Sequence, residues 1–187
     1  SWLQPEWPAP PRVRAVMTDR AGGSSRAPWD SMNLGDHVGD RTQSVQANRL
    51  GLQQAMGARP VFLKQVHGVE AVKLDASSRD GMQADACIAT GSDVACTIMV
   101  ADCLPVLLCD ASGHWVAAAH AGWRGLAGVH GTGVLESLLN ASSLSGTARE
   151  DVLVWLGPCI GPQAFEVGPE VMAAFCAEDD QAAVFFK

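Results

Sequence analysis

Short apolar runs separated by Gly, Asp, Asn and Ser dominate the hydrophobic pattern of this chain. These runs predict β-strands over residues 12–18, 61–68, 69–74, 84–90, 94–100, 103–110, 114–121 and 151–157. Apolar positions at helical spacing predict a helix over 42–56, with Gly57 as its C-terminal stop. Further helices are predicted over 126–140, where glycines weaken the first half, and over 169–177, which begins with a proline.

Strands outnumber helices in this pattern, and short turns join them. We therefore predict an α+β fold in which mixed or largely antiparallel sheets pack against outer helices. A chain of 187 residues fits one domain, 1–187, with the proline-rich residues 1–11 as an extended lead-in. Residues 19–40 are rich in Gly, Ser, Asp and Asn and predict a long loop, which in a compact domain is usually functional.

Composition excludes several classes of function. Apolar residues make up 48% of the chain and charged residues 18%, as in a soluble globular protein. The net charge of −7 and the lack of any Lys/Arg run argue against nucleic acid and anionic membranes as partners. No apolar stretch is long enough to span a bilayer. Six cysteines without a C-x-x-C pair suggest a reducing compartment, and we expect a cytoplasmic protein.

The tight turn "DASG" at 110–113 predicts a hairpin that brings Cys103 close to His120. With a two-residue loop, Asp110 faces Gly113 and Cys103 lies directly opposite His120. A type I turn with a bulge would shift this register by one residue, although both side chains would stay at the same end of the hairpin. Pro105 predicts that the first strand lies at a sheet edge or is irregular near Cys103.

His67 also ends an apolar run and is followed by Gly68, so it makes a third candidate ligand. Two imidazoles and one thiolate suit zinc, and three protein ligands leave one position open, which is typical of catalytic sites. Such a site lowers the pKa of bound water to about 7. The alternative is structural: a His at a strand end that is simply hydrogen-bonded and a Cys that belongs to the core.

Other polar residues are candidates for supporting roles. Asp85 and Asp102 could orient a ligand from behind, since a zinc-bound His commonly donates its other ring N–H to a carboxylate. Gln65 lies on the same strand face as His67. Arg124, between two glycines, could pair with a phosphate or carboxylate, or it could form a surface salt bridge.

The ordered motifs "LKQVHG", "ADACIAT", "VADCLPVLLCD", "AAAHAGWRG" and "LGPCIGPQAFEVGPEV" resemble the bacterial YfiH family, which is also labelled laccase domain or polyphenol oxidase. The resemblance implies a zinc site on His67, Cys103 and His120, and two His with one Cys would also accept copper as a substitute. It implies purine nucleoside phosphorylase activity on adenosine, inosine and methylthioadenosine, with phosphate as co-substrate, and deamination of adenosine. It also implies a layered sandwich of sheets with outer helices, similar to a toxin deamidase.

The same resemblance assigns substrate-binding roles to residues outside the trio. Asn33 and His37 match the family's loop motif in "NLGDHVGD", and Arg49 matches "NR" on the first helix. Members of the family continue past the point where this chain stops, so the resemblance implies that a C-terminal segment is missing. Neither the residues nor the resemblance specify an oligomeric state or the preferred nucleoside.

Three alternatives to the phosphorylase differ in what they require of the trio. Multicopper oxidation needs many paired imidazoles, and five histidines without any H-x-H pair exclude a true multicopper laccase. A cysteine hydrolase or deamidase would use Cys103 as nucleophile and His120 as base. A non-catalytic module would use zinc only to close the hairpin, and it would need a fourth protein ligand.

Overall fold

The computed structural model describes residues 2–142 and 146–186, which contain four α-helices. Their bounds are α1 Thr42–Met56, α2 Trp123–Ala127, α3 Val134–Ser142 and α4 Pro169–Cys176. Short 3-10 helices cover Arg149–Asp151 and Asp180–Phe185. Among the described helices, none combines the length and apolarity that a membrane crossing requires.

Seven strands in the described residues form two sheets, which are both needed to build the core. Their bounds are β1 Arg59–Phe62, β2 Ala71–Leu74, β3 Ala86–Ala89, β4 Val94–Thr97, β5 Leu104–Asp110, β6 Val116–Ala121 and β7 Val152–Leu156. The larger sheet has the order β2-β3-β6-β5-β7, in which only β2 and β3 run parallel. The smaller sheet pairs β1 with β4 in parallel. This mixed arrangement confirms the predicted α+β class.

The larger sheet is apolar on both faces, so both are covered. On β3, Ile88 points to a cluster shared with Leu138 of α3, whereas Cys87 points to a cluster shared with Val61 of β1 and Val94 of β4. This alternation follows from the two-residue period of a strand. Leu52 of α1 packs on the outer side of β1 in a third cluster. The order of layers is therefore α3, larger sheet, smaller sheet and α1, which is a sandwich with outer helices.

Two sequence-based predictions of local structure are wrong. Residues 12–18 form no strand and contribute only an isolated bridge between Leu3 and Met17. The helix predicted over 126–140 is two helices, because Gly128 and Gly131 adopt positive φ values of 68° and 72° in the turn that separates α2 from α3. Glycine favours such left-handed conformations and weakens a helix interior.

The register of the β5–β6 hairpin also differs from the prediction. Pro105, rather than Cys103, faces His120, and the loop has four residues because Asp110 N–H pairs with the Trp115 carbonyl at 3.4 Å. The Asp110 carboxylate fixes this longer loop by accepting the Trp115 N–H at 3.0 Å. The shift is by two residues, an even number, so every side chain keeps its face. Cys103 therefore still approaches His120, although the pairing used to predict this was wrong.

Pro105 does not mark an edge strand, since β5 lies between β6 and β7. The proline is the second residue of β5 and comes before Val106, the first residue that pairs with β7. The Gly157 N–H donates to the Pro105 carbonyl at 2.9 Å, so the missing N–H removes only the reciprocal hydrogen bond at this end of the β5–β7 ladder. Cys103 lies just before β5, so the other alternative, an irregular backbone near Cys103, is the one observed.

The loop over 19–40 is held to α1 by Asn48, whose side chain is buried. Its amide oxygen accepts the Ser24 N–H at 2.7 Å, and its amide nitrogen contacts Ser25 Oγ, the Ser31 carbonyl and the Asn33 carbonyl at 2.8–3.1 Å. A single side chain thus satisfies polar groups from two separate parts of the loop, which fixes the loop against the body of the protein.

We expect Asn48→Ala to lower the free energy of unfolding by about 2 kcal/mol, because it leaves several loop groups without a partner. It should also raise the rate of proteolysis within residues 19–40. Urea unfolding and limited proteolysis measure the two effects. Gln54→Ala, at an exposed position of the same helix, is the matched control and should behave like the wild type. Equal stability of the two variants would contradict this role of Asn48.

Candidate metal centre

The structure brings together His67, Cys103 and His120, the three residues proposed as ligands from the sequence. One ligand atom from each lies within 4.8 Å of the other two, and Cys103 Sγ is 3.9 Å from His67 Nε2. The two imidazole rings meet edge to face, with centroids 4.6 Å apart. His120 comes from β6, Cys103 lies just before β5, and His67 lies in the loop that follows β1. The prediction that His67 ends a strand is therefore wrong, because β1 ends at Phe62.

The donor set and its spacing fit a metal ion. Two imidazole nitrogens and one thiol sulfur suit zinc, whose bonds to nitrogen and sulfur are about 2.0–2.3 Å long. Small side-chain rotations would bring three donors at this spacing onto one ion. His120 Nδ1 lies 2.8 Å from the Asp85 carboxylate, which leaves its Nε2 as the atom free to bind. Among the described residues, no fourth His, Cys, Asp or Glu joins this group.

Asp85 is fully buried and holds both histidines in place. Its carboxylate accepts backbone N–H groups from Val66, His67 and Gly68 at 2.8–3.1 Å, besides the ring nitrogen of His120. Burial raises the pKa of Asp85, but these four hydrogen bonds outweigh it and keep the pKa below its ordinary value. Asp85 is therefore an anion, and it favours the His120 tautomer that carries its proton on Nδ1.

The backbone of His67 adopts a left-handed conformation with φ 59°, which is uncommon for a residue other than glycine. Here it turns three consecutive N–H groups toward one carboxylate, a concave arrangement of amides that binds anions. The negative charge of Asp85 compensates the cost of this conformation. The loop therefore presents the His67 ring to Cys103 because its main chain is wrapped around Asp85.

Gly122 and Gly125 allow the parts of the centre to approach each other closely. A methyl group at Gly122 would lie 3.0 Å from His67 Cδ2 and 3.1 Å from Cys103 Sγ. A methyl group at Gly125 would lie 3.0 Å from the Gly68 carbonyl oxygen. These glycines make room for the candidate ligands and their loop.

Cys103 is half-buried, and burial together with the neighbouring Asp102 raises the pKa of its thiol. Asp102 is exposed, and its carbonyl accepts the Ile160 N–H at 2.9 Å, whereas its role in orienting a ligand stays a prediction. A thiol in this setting becomes a thiolate readily only when a cation compensates the charge. Cys159 is exposed and lies on the segment next to Asp102.

The polar residues expected at the substrate are mostly engaged with their own surroundings. Gln65 forms two hydrogen bonds of 2.7 Å with the main chain of Met99, and Asn33 bridges Gly35 and Asp40 at 3.0 Å. These contacts brace the 19–40 loop and tie Gln65, two residues before His67, to the segment that follows β4. Whether they also contact a substrate stays a prediction.

The charged candidates differ in how strongly they are fixed. Arg49 donates to the Leu34 carbonyl at 2.9 Å, pairs with Asp36 and Asp80, and lies over the Phe62 ring. His37 is exposed and lies 3.7 Å from Asp36. Arg124 is exposed on α2, with its guanidinium stacked 4.3 Å above the Trp123 ring. These two exposed side chains are the ones free to reorient toward a ligand.

Sequence patterns carried no signal for the most important contacts of Asp85. The N–H groups of Val66, His67 and Gly68 belong to the main chain, so no residue type in the sequence indicates that they will bind Asp85. Gly68 is not such a signal, since a methyl group there would lie 3.5 Å from the Asp85 carboxylate, which is an ordinary contact distance.

Comparison with known proteins gives consistent matches over most of the chain. A family model described as multi-copper polyphenol oxidoreductase laccase matches residues 14–187. The purine nucleoside phosphorylase of Pseudomonas aeruginosa is 53% identical over 182 residues, which are 97% of this chain and 72% of that protein. The purine nucleoside phosphorylase YfiH of Escherichia coli is 46% identical over 186 residues, which are 98% of this chain and 74% of that protein.

A solved structure supports the same grouping. The crystal structure of a Neisseria meningitidis protein of the DUF152 family model superimposes with a TM-score of 0.88 at 41% sequence identity. The match covers 98% of this chain and 73% of that one. At this level of similarity, the two chains share the fold and the order of their elements.

We expect Asp85→Asn to lower zinc affinity about 10- to 100-fold, because the amide that replaces a carboxylate oxygen cannot accept all four donors and no longer orients His120. A competition titration with a chromogenic chelator measures this affinity. Asp110→Asn is the matched control, since Asp110 is also buried and also accepts a backbone N–H and faces a histidine, but in the hairpin loop. Unchanged zinc affinity in folded Asp85→Asn would contradict the orienting role.

Gly122→Ala should weaken zinc binding about tenfold, because its methyl group would push His67 and Cys103 away from their present positions. The same chelator competition measures the loss. Gly91→Ala serves as the control, since the nearest atom to its methyl group would be 3.9 Å away. If both variants bind zinc like the wild type, close packing at Gly122 does not position the ligands.

Proposed function

Since the chain belongs to the YfiH family, whose model is described as multi-copper polyphenol oxidoreductase laccase, we propose that it is a zinc-dependent purine nucleoside phosphorylase. The relatives from Pseudomonas aeruginosa and Escherichia coli carry that activity in their names. The observation that carries the proposal is the convergence of His67, Cys103 and His120 within 4.8 Å. Adenosine, inosine and methylthioadenosine are the proposed nucleosides.

The reaction replaces one bond at C1′ of the ribose. The bond to the purine nitrogen breaks, a bond to a phosphate oxygen forms, and the purine leaves with a proton. Zinc bound by the trio would supply a Lewis acid that polarises an oxygen or nitrogen of a substrate. Copper is the alternative metal for the same donor set.

The chain's own residues orient the centre and leave one side accessible. Asp85 keeps the proton of His120 on Nδ1 and directs Nε2 toward Cys103 and His67. His67 is exposed whereas His120 is buried, so a substrate would approach from the side of His67. Arg124, exposed on α2, is the proposed contact for the phosphate anion.

The loop residues are proposed as contacts for the nucleoside. His37 is exposed beside Asp36, whereas Asn33 and Gln65 would hold the 19–40 loop and the segment before His67 in place. Arg49 is fixed by Leu34 and its two ion pairs, and it would act by holding the 19–40 loop against α1.

Deamination of adenosine is a second proposed activity of the same centre. A metal that polarises water also supports attack on C6 of adenine. Phosphorolysis requires phosphate and releases free base, whereas deamination requires only water and yields inosine. The two activities are therefore separable by leaving out phosphate.

A cysteine hydrolase or deamidase is a separate candidate, and the Asp85–His120 pair favours it because a carboxylate orients the base in nucleophilic triads. The raised pKa of the Cys103 thiol counts against it, since an activated nucleophile needs a lowered one. We rank this candidate below the phosphorylase.

We propose a cytoplasmic location. All six cysteines are free, including the exposed Cys159, which fits a reducing compartment. Purine nucleoside and phosphate are the proposed partners, and the net charge of −7 gives no basis for a nucleic-acid partner.

The test is to incubate zinc-loaded protein with adenosine or inosine, with and without phosphate, and to separate the products by chromatography. We expect free base only when phosphate is present. His120→Ala should lower turnover about 100-fold or more, since Lewis-acid stabilisation contributes several kcal/mol. His114→Ala is the matched control, because His114 is exposed in the hairpin loop.

Other outcomes separate the candidates. Inosine formed from adenosine without phosphate would identify a deaminase. Full activity in His120→Ala would refute a catalytic role for the trio. The hydrolase would be favoured if the zinc-loaded protein turned over no nucleoside. It would also require that metal removal leaves the labelling of Cys103 by a thiol reagent unchanged.

A further inference from the structure

A cleft with a volume of about 710 Å³ lies between α1, the start of β1 and the loop that follows β2. We call it the arginine cleft, and its defining residues are Arg49, Leu50, Arg59, Phe62, Arg79 and Asp80. Its volume falls in the range of about 300–1,000 Å³ typical of ligand sites. A pocket of this size can hold a small organic molecule.

The arginine cleft is separate from the metal centre. None of His67, Asp85, Cys103, His120 or Gly122 lines it. Asp85 of the metal centre lies beside the start of β2, where the Glu70 carbonyl accepts the N–H groups of Asp85 and Ala86. The cleft instead includes the loop after the end of β2. Four strand residues separate these two ends by about 13 Å.

The charge of the cleft is opposite to that of the whole chain. Three arginines line it, in a chain with 13 basic residues and a net charge of −7. Asp80 is the one acidic residue among those that line it, and it is paired with Arg49 at 3.5 Å. A positive region in an acidic protein attracts anions and adds to their local concentration.

Arg59 and Arg79 provide the positive charge that remains. One guanidinium nitrogen of Arg59 donates hydrogen bonds to the carbonyls of Ala76 and Ser78 at 3.2 and 2.9 Å. These bonds fix the guanidinium without neutralising its charge. Arg79 is exposed in the same loop. Guanidinium groups bind phosphate oxygens through paired hydrogen bonds, and one that is already fixed loses less entropy on binding.

Leu50 gives the cleft an accessible apolar side chain, which suits the organic part of a ligand. It is 54% exposed on α1, whereas Phe62 of β1 is buried beneath the Arg49 guanidinium. Ser77 and Ser78 add hydroxyl groups on the loop side. A ligand with an anionic group and a flat or apolar part would satisfy both regions.

We propose that the arginine cleft binds a phosphate group, held between Arg59 and Arg79, with room for an organic part against Leu50. The phosphate could belong to a monoester such as a nucleoside monophosphate or be free inorganic phosphate. The cleft is a binding site and takes no part in bond breaking.

The test measures binding of AMP and of inorganic phosphate by isothermal titration calorimetry. Arg79→Gln should weaken binding of the phosphate-bearing ligand about tenfold or more, since a charged hydrogen bond is lost. Arg14→Gln makes the same charge change at an exposed position outside the cleft and should leave the affinity unchanged. Binding should also weaken as ionic strength rises.

Cys103→Ser separates this cleft from the metal centre, because it alters the candidate ligand and leaves the cleft intact. The proposal requires that AMP binding persists in Cys103→Ser. Tighter binding of AMP than of phosphate identifies the monoester, and equal binding identifies free phosphate. No saturable binding of either, equal effects of Arg79→Gln and Arg14→Gln, or loss confined to Cys103→Ser would overturn the proposal.

Discussion

The buried carboxylate of Asp85 is the interaction on which the rest of the candidate metal centre depends. A carboxylate removed from water is stable only when its oxygens are hydrogen-bonded. Asp85 meets this requirement with three main-chain N–H groups of one loop and the ring of His120. The same requirement therefore folds the His67 loop, chooses the His120 tautomer and joins the start of β3 to the end of β6.

Close packing is the second constraint, and small residues meet it. Ala117, Ala118, Ala119 and Ala121 make β6 thin, so α3 and the smaller sheet can approach it from opposite faces. Gly122 continues this strip of small residues into the centre, where it lets the side chains of the other two candidate ligands meet. The small residues at the end of β6 therefore allow both the close packing of the strand and the approach of the candidate ligands.

The fold class, the start and end of α1, and the three candidate ligands could be predicted from the sequence, because periodicity and residue type carry them. The hairpin register could not, since the side-chain bonds of Asp110 selected a four-residue loop over a shorter one. Cys103 still reached His120 because an even shift preserves the face of each side chain. The position of His67 depends on a left-handed backbone and on main-chain donors, and neither is encoded by a residue type.

Main-chain groups hold a charged side chain near each end of β2, a carboxylate at one end and a guanidinium at the other. Near its start, main-chain N–H groups hold the carboxylate of Asp85, and beyond its end, main-chain carbonyls hold the guanidinium of Arg59. In both places a loop supplies several oriented dipoles to one charged side chain, which stays charged because its partners are neutral. A charge that is fixed without being neutralised keeps its field, which would attract the proposed metal cation at one end and the proposed phosphate anion at the other.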